Sequence, residues 1–521
     1  MALASIDIWV AASYAVILLL LAQWVSREKA GHTKDSSDYF LAGRSLPWWA
    51  IGASLIAANI SAEQIIGMSG SAYVMGLAIA SYEWMSAITL IIVGKYFLPI
   101  FLKRGIYTMP QFLEQRYDGR VRTVLAIFWL GVYVLVNLTS ILWLGALAIN
   151  SITGFDINNS LLALGLFTAA YSLYGGLKAV AFTDIIQVVL LVMGGLMIGY
   201  ITLDQISGGQ GFFAGLSLLM NELPEKFDMI LSADHPSYKH LPGLSVLLGG
   251  MWVMNFSYWG FNQYIIQRAL AAKNIHEAQK GIVFAAFLKI LMPVLVVLPG
   301  IAALMLAPNL SAPDQAYPEM MKLLPTGIKG IVFAALIAAI VSSLASMTNS
   351  ISTIFTMDLY VPMQGVDKND KKLVTVGRFI SLLSLIIAMV VAKPLLGNFD
   401  QAFQFIQEFT GFFTPGIVVI FLMGMFWKRA TPMGALTAAI GSALLSLALK
   451  LLLPELPFMD RVGVVFVACV VIGVVISLIG KPPVHETDVD LNEIDYSTSS
   501  GFNMAALAIS MILVGFYTVW W

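Results

Sequence analysis

Charged residues, cysteine and histidine are scarce in this sequence. Only 11% of its 521 residues are charged, and the 29 basic and 30 acidic side chains nearly cancel, while 59% of the residues are hydrophobic. Soluble domains carry roughly 25% charged and 45–50% apolar residues. The composition therefore predicts a polytopic membrane protein. Because no excess of basic residues is present, no nucleic-acid partner is expected.

The few reactive side chains argue against catalysis. The single cysteine, Cys469, lies in an apolar run and cannot form an intrachain disulfide. The five histidines fall in predicted loops or at span edges, so neither a buried metal site nor a histidine proton relay is indicated. The HExxH, GxSxG and phosphate-loop patterns are absent. We expect that this chain is not an enzyme.

Long apolar runs are what the sequence has in abundance. A helix needs about 20 apolar residues to cross a bilayer, and this length gives about fourteen spans. The first run, residues 8–25, has no basic flank before it and no cleavage site after it, so we interpret it as a span and not a signal peptide. Most lysines and arginines collect on one side if the N-terminus is outside. The positive-inside rule then predicts that both termini lie outside.

Two stretches break the apolar pattern, namely residues 57–73 (AANISAEQIIGMSGSAY) and 249–264 (GGMWVMNFSYWGFNQY). An odd number of predicted spans separates them, so two five-helix units beginning at these helices would run in opposite directions. Interrupted helices at matching places of inverted halves indicate a transporter site near the midplane.

This pattern divides the chain into five parts. We predict an N-terminal extra span with a cytoplasmic loop (1–47), a first five-helix repeat (48–206), an outer loop (207–241), an inverted second repeat (242–428) and three C-terminal spans (429–521). The last part contains an acidic cytoplasmic loop (482–500) with the composition of a solvated linker.

Unpaired oxygens are expected where the first helix is interrupted. Unwound backbone survives in a membrane only where it is buried in protein or lines a cavity, and there it presents free carbonyls. Ala57 and Ile60 offer such carbonyls, and Ala339, Ser342 and Ser343 lie on adjoining faces of a later helix. These neutral oxygens suit a hard monovalent cation. The alternative is that small residues and serines only allow close helix packing.

Two charged side chains lie inside predicted spans. Burying Glu83 or Lys289 costs several kcal/mol unless the charge is paired or faces water. A mutual ion pair and a shared polar substrate both explain them. A neutral hexose presents hydroxyls that donate and accept, so its site needs mixed amide, carboxylate and ammonium groups.

Six motifs resemble a known family: ASLIAANISAEQ, IASYEWMSA, LYGGLKAVAFTDIIQ, YWGFNQYIIQR, VFAALIAAIVSSLAS and FQFIQEFTG. They resemble the sodium/solute symporters, most closely the bacterial sodium/galactose (sodium/glucose) branch, from about Ser5 to the last span. The resemblance implies an all-α, leucine-transporter-like 5+5 inverted-repeat fold in the bacterial inner membrane. It also implies sodium-driven import of a neutral hexose, galactose or glucose, by alternating access.

The resemblance also implies roles for individual residues. It places sugar contacts at Asn59, Gln64, Glu83, Ser86, Asn255, Lys289 and Gln407. It places an outer gate at Met68, Tyr82 and Phe403, and an inner gate at Tyr258 with Trp259. It places one sodium at Ala57, Ile60, Ala339, Ser342 and Ser343, and an acid of the sodium exit path at Asp184. Relatives with a second sodium site carry hydroxyls at the positions of Ala345 and Ser346, and Ala345 has none, so one sodium per sugar is expected.

Other functions remain open at this point. Another small solute of the same broad family, such as proline or pantothenate, is the main alternative, although both carry a carboxylate. A membrane sensor is expected to carry a soluble output domain. A channel is expected to have a continuous pore with a filter, whereas two interrupted helices suit one occluded site. The pattern does not distinguish galactose from glucose, and it leaves the oligomeric state open.

Overall fold

The computed structural model describes residues 3–25, 40–367, 372–397, 402–481 and 491–521. Within these ranges the chain is helical and has no strands, apart from one isolated bridge between Leu46 and Ala272. The predicted all-α class is therefore confirmed. The α-helices are Ser5–Val25, Trp48–Asn59, Met68–Met75, Ser81–Ile92, Leu98–Arg104, Met109–Arg116, Gly119–Val132, Thr139–Thr153, Ile157–Ile206, Phe212–Glu222, Leu244–Leu248, Gly250–Phe256, Gln263–Leu270, Ile275–Met292, Leu298–Leu306, Ala316–Met321, Ile328–Ile354, Val361–Gln364, Lys372–Leu396, Ala402–Gly411, Thr414–Phe426, Pro432–Leu452, Phe458–Ile479 and Ser500–Val519.

Several of these helices are joined through wider or tighter turns. Wider π-helical turns continue a span at Glu63–Gly67, Val93–Phe97, Tyr133–Leu138, Ser257–Phe261, Pro293–Val297 and Phe355–Tyr360. In the described ranges, nine helical segments are long and apolar enough to cross a membrane, and a pair bent by 47°, Ala402–Gly411 with Thr414–Phe426, makes up to ten. The count of about fourteen spans and the inverted repeat stay predictions.

The longest helical segment, Ile157–Ile206, covers two of the predicted spans. Residues twelve positions apart on a straight helix lie about 18 Å from each other. The Tyr171 hydroxyl nevertheless hydrogen-bonds Thr183 directly. The segment is therefore not one straight helix, and its second part, Ala181–Ile206, is an apolar span.

The first predicted interruption lies just after Trp48–Asn59. Ile60 leaves the helical conformation with a ψ of 70°, and the Ser61 amide bonds the Asn59 carbonyl at 2.7 Å. The Ala57 carbonyl, four residues before Ser61, thus loses its usual helical partner. The Ser61 hydroxyl accepts from the Glu63 amide at 3.1 Å and starts the next turn.

The second predicted interruption consists of two breaks. Leu244–Leu248 ends at Gly249, as the glycine pair suggests, but the chain breaks again at Asn262, which is extended with φ −78° and ψ 120°. Asn262 lies within the predicted interrupted stretch, residues 249–264. Gly250 packs so closely on the helix Phe458–Ile479 that an added Cβ would lie 2.0 Å from the Met459 carbonyl oxygen.

One buried helix, Ile328–Ile354, runs through the centre of the molecule, and we call it the serine helix. It packs against Ile157–Ile206, Ser5–Val25 and Trp48–Asn59. Its N-terminus is capped by the buried Asp7, whose carboxylate accepts from the amides of Gly327 at 2.7 Å and Gly330 at 3.0 Å. The first helix of the chain therefore holds the serine helix in place.

Candidate functional site

A cavity with about 90 Å³ of space for the centres of water molecules lies between the two interrupted helices, and it is partly open to solvent. Among the predicted residues, those that line it are Asn59, Gln64, Tyr82, Glu83, Ser86, Asn255, Tyr258, Trp259 and Gln407. These residues come from four separate helical regions, so the fold brings them together from distant parts of the sequence. Lys289, Met68 and Phe403 are buried nearby but do not line the cavity.

Glu83 and Lys289 form a buried ion pair. The Lys289 Nζ lies 2.5 Å from Glu83 Oε2, and the two side chains are 0% and 1% exposed. The ammonium also donates to Asn59 Oδ1 and lies 4.8 Å from the centre of the Trp259 ring. A buried charge with its partner and hydrogen bonds in place avoids the penalty that either charge alone would carry. Glu83 faces the cavity, while Lys289 lies one layer behind it and orients Glu83 and Asn59.

Ser86 and Asn255 join the helix Ser81–Ile92 to the second interrupted region. The Ser86 hydroxyl lies 2.6 Å from Asn255 Oδ1 and 2.5 Å from the Tyr82 carbonyl. The Asn255 amide in turn donates to the Met251 carbonyl at 3.1 Å. In contrast, Gln64 Oε1 is buried at the cavity and has no hydrogen-bond partner in the part of the chain that the structure describes. An unpaired amide oxygen in a polar cavity is free to accept from a solute hydroxyl or water.

Tyr258 closes one wall of the cavity. Its hydroxyl accepts from the Asn59 amide at 3.0 Å and bonds the Tyr264 hydroxyl, and its ring meets Trp259 edge to face at 5.1 Å. The hydrogen bond between Tyr258 and Asn59 joins two distant parts of the sequence. It spans the two interrupted helices.

Two of the three residues predicted for the outer gate, Tyr82 and Phe403, pack against each other at the end of the cavity that Tyr82 lines. The rings of Tyr82 and Phe403 meet edge to face with centroids 5.3 Å apart. Met68 is fully buried, and an added Cβ on Gly67 would lie 2.9 Å from the Phe403 Cβ. This end of the cavity is closed by side-chain packing.

The residues predicted to bind sodium lie where the first helix breaks and on the serine helix. The Ser343 hydroxyl lies 3.1 Å from the Ala58 carbonyl and 3.3 Å from the Ala57 carbonyl. Ile60 caps the broken helix end, and Ala339 lies one turn before Ser343. Neutral carbonyl and hydroxyl oxygens of this kind are suitable ligands for a monovalent cation that is carried as a substrate. The Ser342 hydroxyl donates to Asp184 in this structure.

Asp184 lies in a buried network beside Ser342. Its other carboxylate oxygen accepts from the Ser54 hydroxyl at 2.5 Å. Arg268 donates to the Ser54 hydroxyl at 2.7 Å, and its guanidinium lies 3.9 Å from Asp184. This arginine was not predicted as part of the site. Its charge balances that of Asp184, which explains how both are buried.

Sequence reasoning also missed cavity residues. Glu63, Asn137, Asn262 and Thr410 line the cavity, and Glu63 accepts from the Ser140 hydroxyl. Glu63 and Asn137 each interrupt an apolar run, and that signal was available. The local sequence around Asn262 and Thr410 does not show that these two side chains lie on the side facing the cavity.

Comparison with known proteins gives concordant results. The model of the family described as "Sodium:solute symporter family" matches residues 39–441. A protein of Vibrio parahaemolyticus named sodium/glucose cotransporter is 52% identical over 539 residues, covering 100% of this chain and 99% of the relative. Human sodium/myo-inositol cotransporter 2 is 33% identical over 470 residues, covering 85% of this chain and 69% of the relative.

The fold also has a solved counterpart. The structure of a sodium-coupled sialic acid symporter, in a substrate-bound outward-open state, superimposes with a TM-score of 0.80 and 22% identity. The superposition covers 92% of this chain and 99% of the other. At this identity the likeness concerns the fold.

Proposed function

This chain belongs to the sodium:solute symporter family, and from that premise we propose that it imports a neutral hexose, galactose or glucose, with one sodium ion per sugar. Sodium-coupled solute symport itself follows from the family. The sugar, the stoichiometry and the residue roles are the proposal.

The observation that carries the proposal is the charge of the cavity lining. The ionisable acids and bases among the described lining residues are Glu63 and Glu83, with no lysine or arginine among them. Lys289 is already paired with Glu83. An anionic solute such as pantothenate would meet acidic groups without a free cation, which costs several kcal/mol in a desolvated site. A neutral polyol instead finds donors and acceptors from Asn59, Gln64, Asn255 and Gln407.

Sodium would bind beside the first break. The proposed ligands are the carbonyls of Ala57, Ile60 and Ala339 and the hydroxyls of Ser342 and Ser343. The contact of Ser343 with the Ala57 carbonyl supports this set. Since the Ser342 hydroxyl points to Asp184, a small rotation of Ser342 would pass the ion toward that carboxylate on the exit path. Ala345 has no hydroxyl to complete a second site.

The proposed topology places fourteen spans in the bacterial inner membrane with both termini outside. Residues 48–206 and 242–428 form the two inverted five-helix repeats, residues 1–47 precede them, and residues 429–521 follow. In this orientation Met68, Tyr82 and Phe403 face the outside, and the closed packing of Tyr82 on Phe403 makes this an outward-closed conformation. Tyr258 covers the sugar from the inner side.

Counterflow in proteoliposomes tests the proposal. Vesicles preloaded with unlabelled galactose or glucose should take up external labelled sugar in sodium but not in choline buffer. Competition by galactose, glucose, myo-inositol, proline and pantothenate then ranks the solutes. Strong competition by proline or pantothenate, with none by either hexose, would refute the sugar assignment while leaving the family membership intact.

A further inference from the structure

We propose that the C-terminal helices hold the outer gate closed through an ion-pair latch, in which Arg461 and Lys450 bind Glu408 on the gate helix. The gate helix is Ala402–Gly411, which also carries Phe403 and Gln407. The inference rests on the proposed function, because it takes Phe403 as part of the outer gate.

The latch is built from three charged side chains. Glu408 Oε1 accepts from the Arg461 guanidinium at 2.8 Å and lies 3.0 Å from the Lys450 Nζ. Arg461 is 5% exposed at its side chain, Glu408 33% and Lys450 47%. Because Arg461 is buried, the loss of its carboxylate partner would leave a buried charge unpaired, which is far more costly than breaking an exposed pair.

The latch lies next to the point where the gate helix can pivot. The chain bends by 47° between Ala402–Gly411 and Thr414–Phe426. The Phe412 ring lies within this bend, 5.3 Å from the Arg461 guanidinium and 5.6 Å from the Lys450 Nζ. The two cations therefore contact both the gate helix and its hinge. At the other end of the gate helix, the Asp314 carboxylate accepts from the Ala402 amide at 3.2 Å.

A histidine near the latch does not compete with it at neutral pH. Burial lowers the pKa of His240 below its usual value, and the nearby Glu408 carboxylate opposes this shift only in part. The imidazole is therefore neutral near pH 7, and Arg461 and Lys450 supply the positive charge at Glu408.

One residue of the gate helix opposes closure. Gln404 is 5% exposed, and among the described residues neither its Nε2 nor its Oε1 has a hydrogen-bond partner. A buried amide without partners costs free energy that hydration would recover. Movement of the gate helix away from the core would expose Gln404 to water. The closed gate is thus a balance between the Glu408 latch and the unpaired Gln404.

This arrangement gives the last helices a function outside the proposed repeats. Lys450 lies on Pro432–Leu452 and Arg461 on Phe458–Ile479. Both helices follow the second repeat in sequence. The latch therefore connects the gate helix, which moves within the repeat, to two helices outside the repeat.

Labelling of a single cysteine from outside tests the latch. We would introduce Ser71→Cys in a Cys469→Ser background, since Ser71 is fully buried on Met68–Met75 at the closed end. The rate of modification by a membrane-impermeant thiol reagent, without sugar, then reports opening of the outer gate. The comparison variants are Glu408→Gln, Gln404→Leu and the matched control Glu455→Gln, which removes the same charge from an exposed pair with Lys239.

The two substitutions in the gate helix, Glu408→Gln and Gln404→Leu, are expected to change the labelling rate in opposite directions. Glu408→Gln should speed labelling on the order of tenfold, as loss of a charged hydrogen bond predicts. Gln404→Leu should slow it, and Glu455→Gln should leave it unchanged. A labelling rate in Glu408→Gln that equals or falls below that of Glu455→Gln overturns the latch. Faster labelling in Gln404→Leu overturns the role given to Gln404.

Two further measurements separate the latch from other effects. Thermal melting in detergent is measured for each variant. Glu408→Gln should melt below the parent because Arg461 stays buried without its carboxylate, and a lowered melting temperature with unchanged labelling would assign Glu408 a purely structural role. The labelling needs no sugar, so a failure of the hexose proposal in counterflow leaves this test able to succeed or fail independently.

Discussion

The Tyr258 hydroxyl accepts a hydrogen bond from the Asn59 amide at 3.0 Å, which links the two interrupted helices across the cavity. Asn59 is at the same time bound through its oxygen to Lys289, the partner of Glu83. The proposed inner gate, the amide of the first break and the buried ion pair are thus one connected network. Because these groups are hydrogen-bonded to one another, a solute that displaces one of them also changes the contacts of the others.

Replacement of Tyr258 should separate stacking from hydrogen bonding. Tyr258→Phe keeps the ring and loses the bonds to Asn59 and Tyr264, and Tyr258→Ala loses both. An aromatic ring covers the face of a pyranose at little entropic cost. We expect the Phe variant to retain part of its initial sodium-driven sugar uptake in reconstituted vesicles and the Ala variant to retain almost none.

The control for this prediction is Tyr200→Ala, since Tyr200 is exposed on a membrane-facing helix. It should transport like the parent at equal protein density. Parent-like uptake by Tyr258→Ala would show that Tyr258 is ordinary packing.

Removal of the Ser343 hydroxyl should weaken sodium coupling. This hydroxyl contacts the carbonyls of Ala57 and Ala58 in a site without a carboxylate, so each neutral ligand matters. For Ser343→Ala we expect the sodium concentration for half-maximal uptake to rise about 10- to 100-fold, the scale of one hydrogen bond to a charge. The measurement is uptake against sodium concentration, with expression monitored.

Ser350→Ala is the matched control on the same helix. Ser350 is equally buried but bonds Gln267 and the Ser346 carbonyl instead of the broken helix end. If Ser343→Ala kept the sodium dependence of Ser350→Ala, the sodium site would lie elsewhere.

Part of this arrangement was predictable because the signals are local. A polar run in an apolar span must be buried or line a cavity, which located the break after Asn59. Two charges in spans had to find partners, and the structure pairs Glu83 with Lys289. Glycines at residues 249 and 250 marked where the second helix is interrupted.

Other parts depend on tertiary contacts that the local pattern does not show. Arg268 is buried because Ser54, Asp184 and Ser346, all distant in sequence, contact its guanidinium. Lys289 was expected to contact the solute, but its position behind Glu83 is set by the packing of Trp259 and Asn59. The Ser342 hydroxyl was likewise expected at the ion and is drawn to Asp184.

The stoichiometry can be checked by accumulation. With one sodium per neutral sugar, a tenfold sodium gradient supplies about 1.4 kcal/mol and a potential of 100 mV about 2.3 kcal/mol. Together these allow roughly 500-fold accumulation of sugar. Steady-state uptake in vesicles with imposed gradients should approach and not exceed this ratio, and a much higher plateau would require a second sodium.

The last prediction concerns the buried pair of Glu83 and Lys289. Glu83→Gln leaves the Lys289 charge without its partner, and Lys289→Ala leaves Glu83 with an unpaired charge at the cavity. Breaking one side of a buried ion pair costs about 3–5 kcal/mol, whereas removing both charges is much better tolerated. We therefore expect each single variant to lower the melting temperature in detergent, and the double variant, Glu83→Gln with Lys289→Met, to recover most of it.

Sugar binding should be absent in all three, because the double variant restores stability without restoring the carboxylate that faces the solute. Isothermal titration with galactose and glucose on the purified double variant provides the measurement. Normal sugar binding by that variant would mean that the pair only supports the fold and that the solute is held by the amides of Gln64, Asn255 and Gln407.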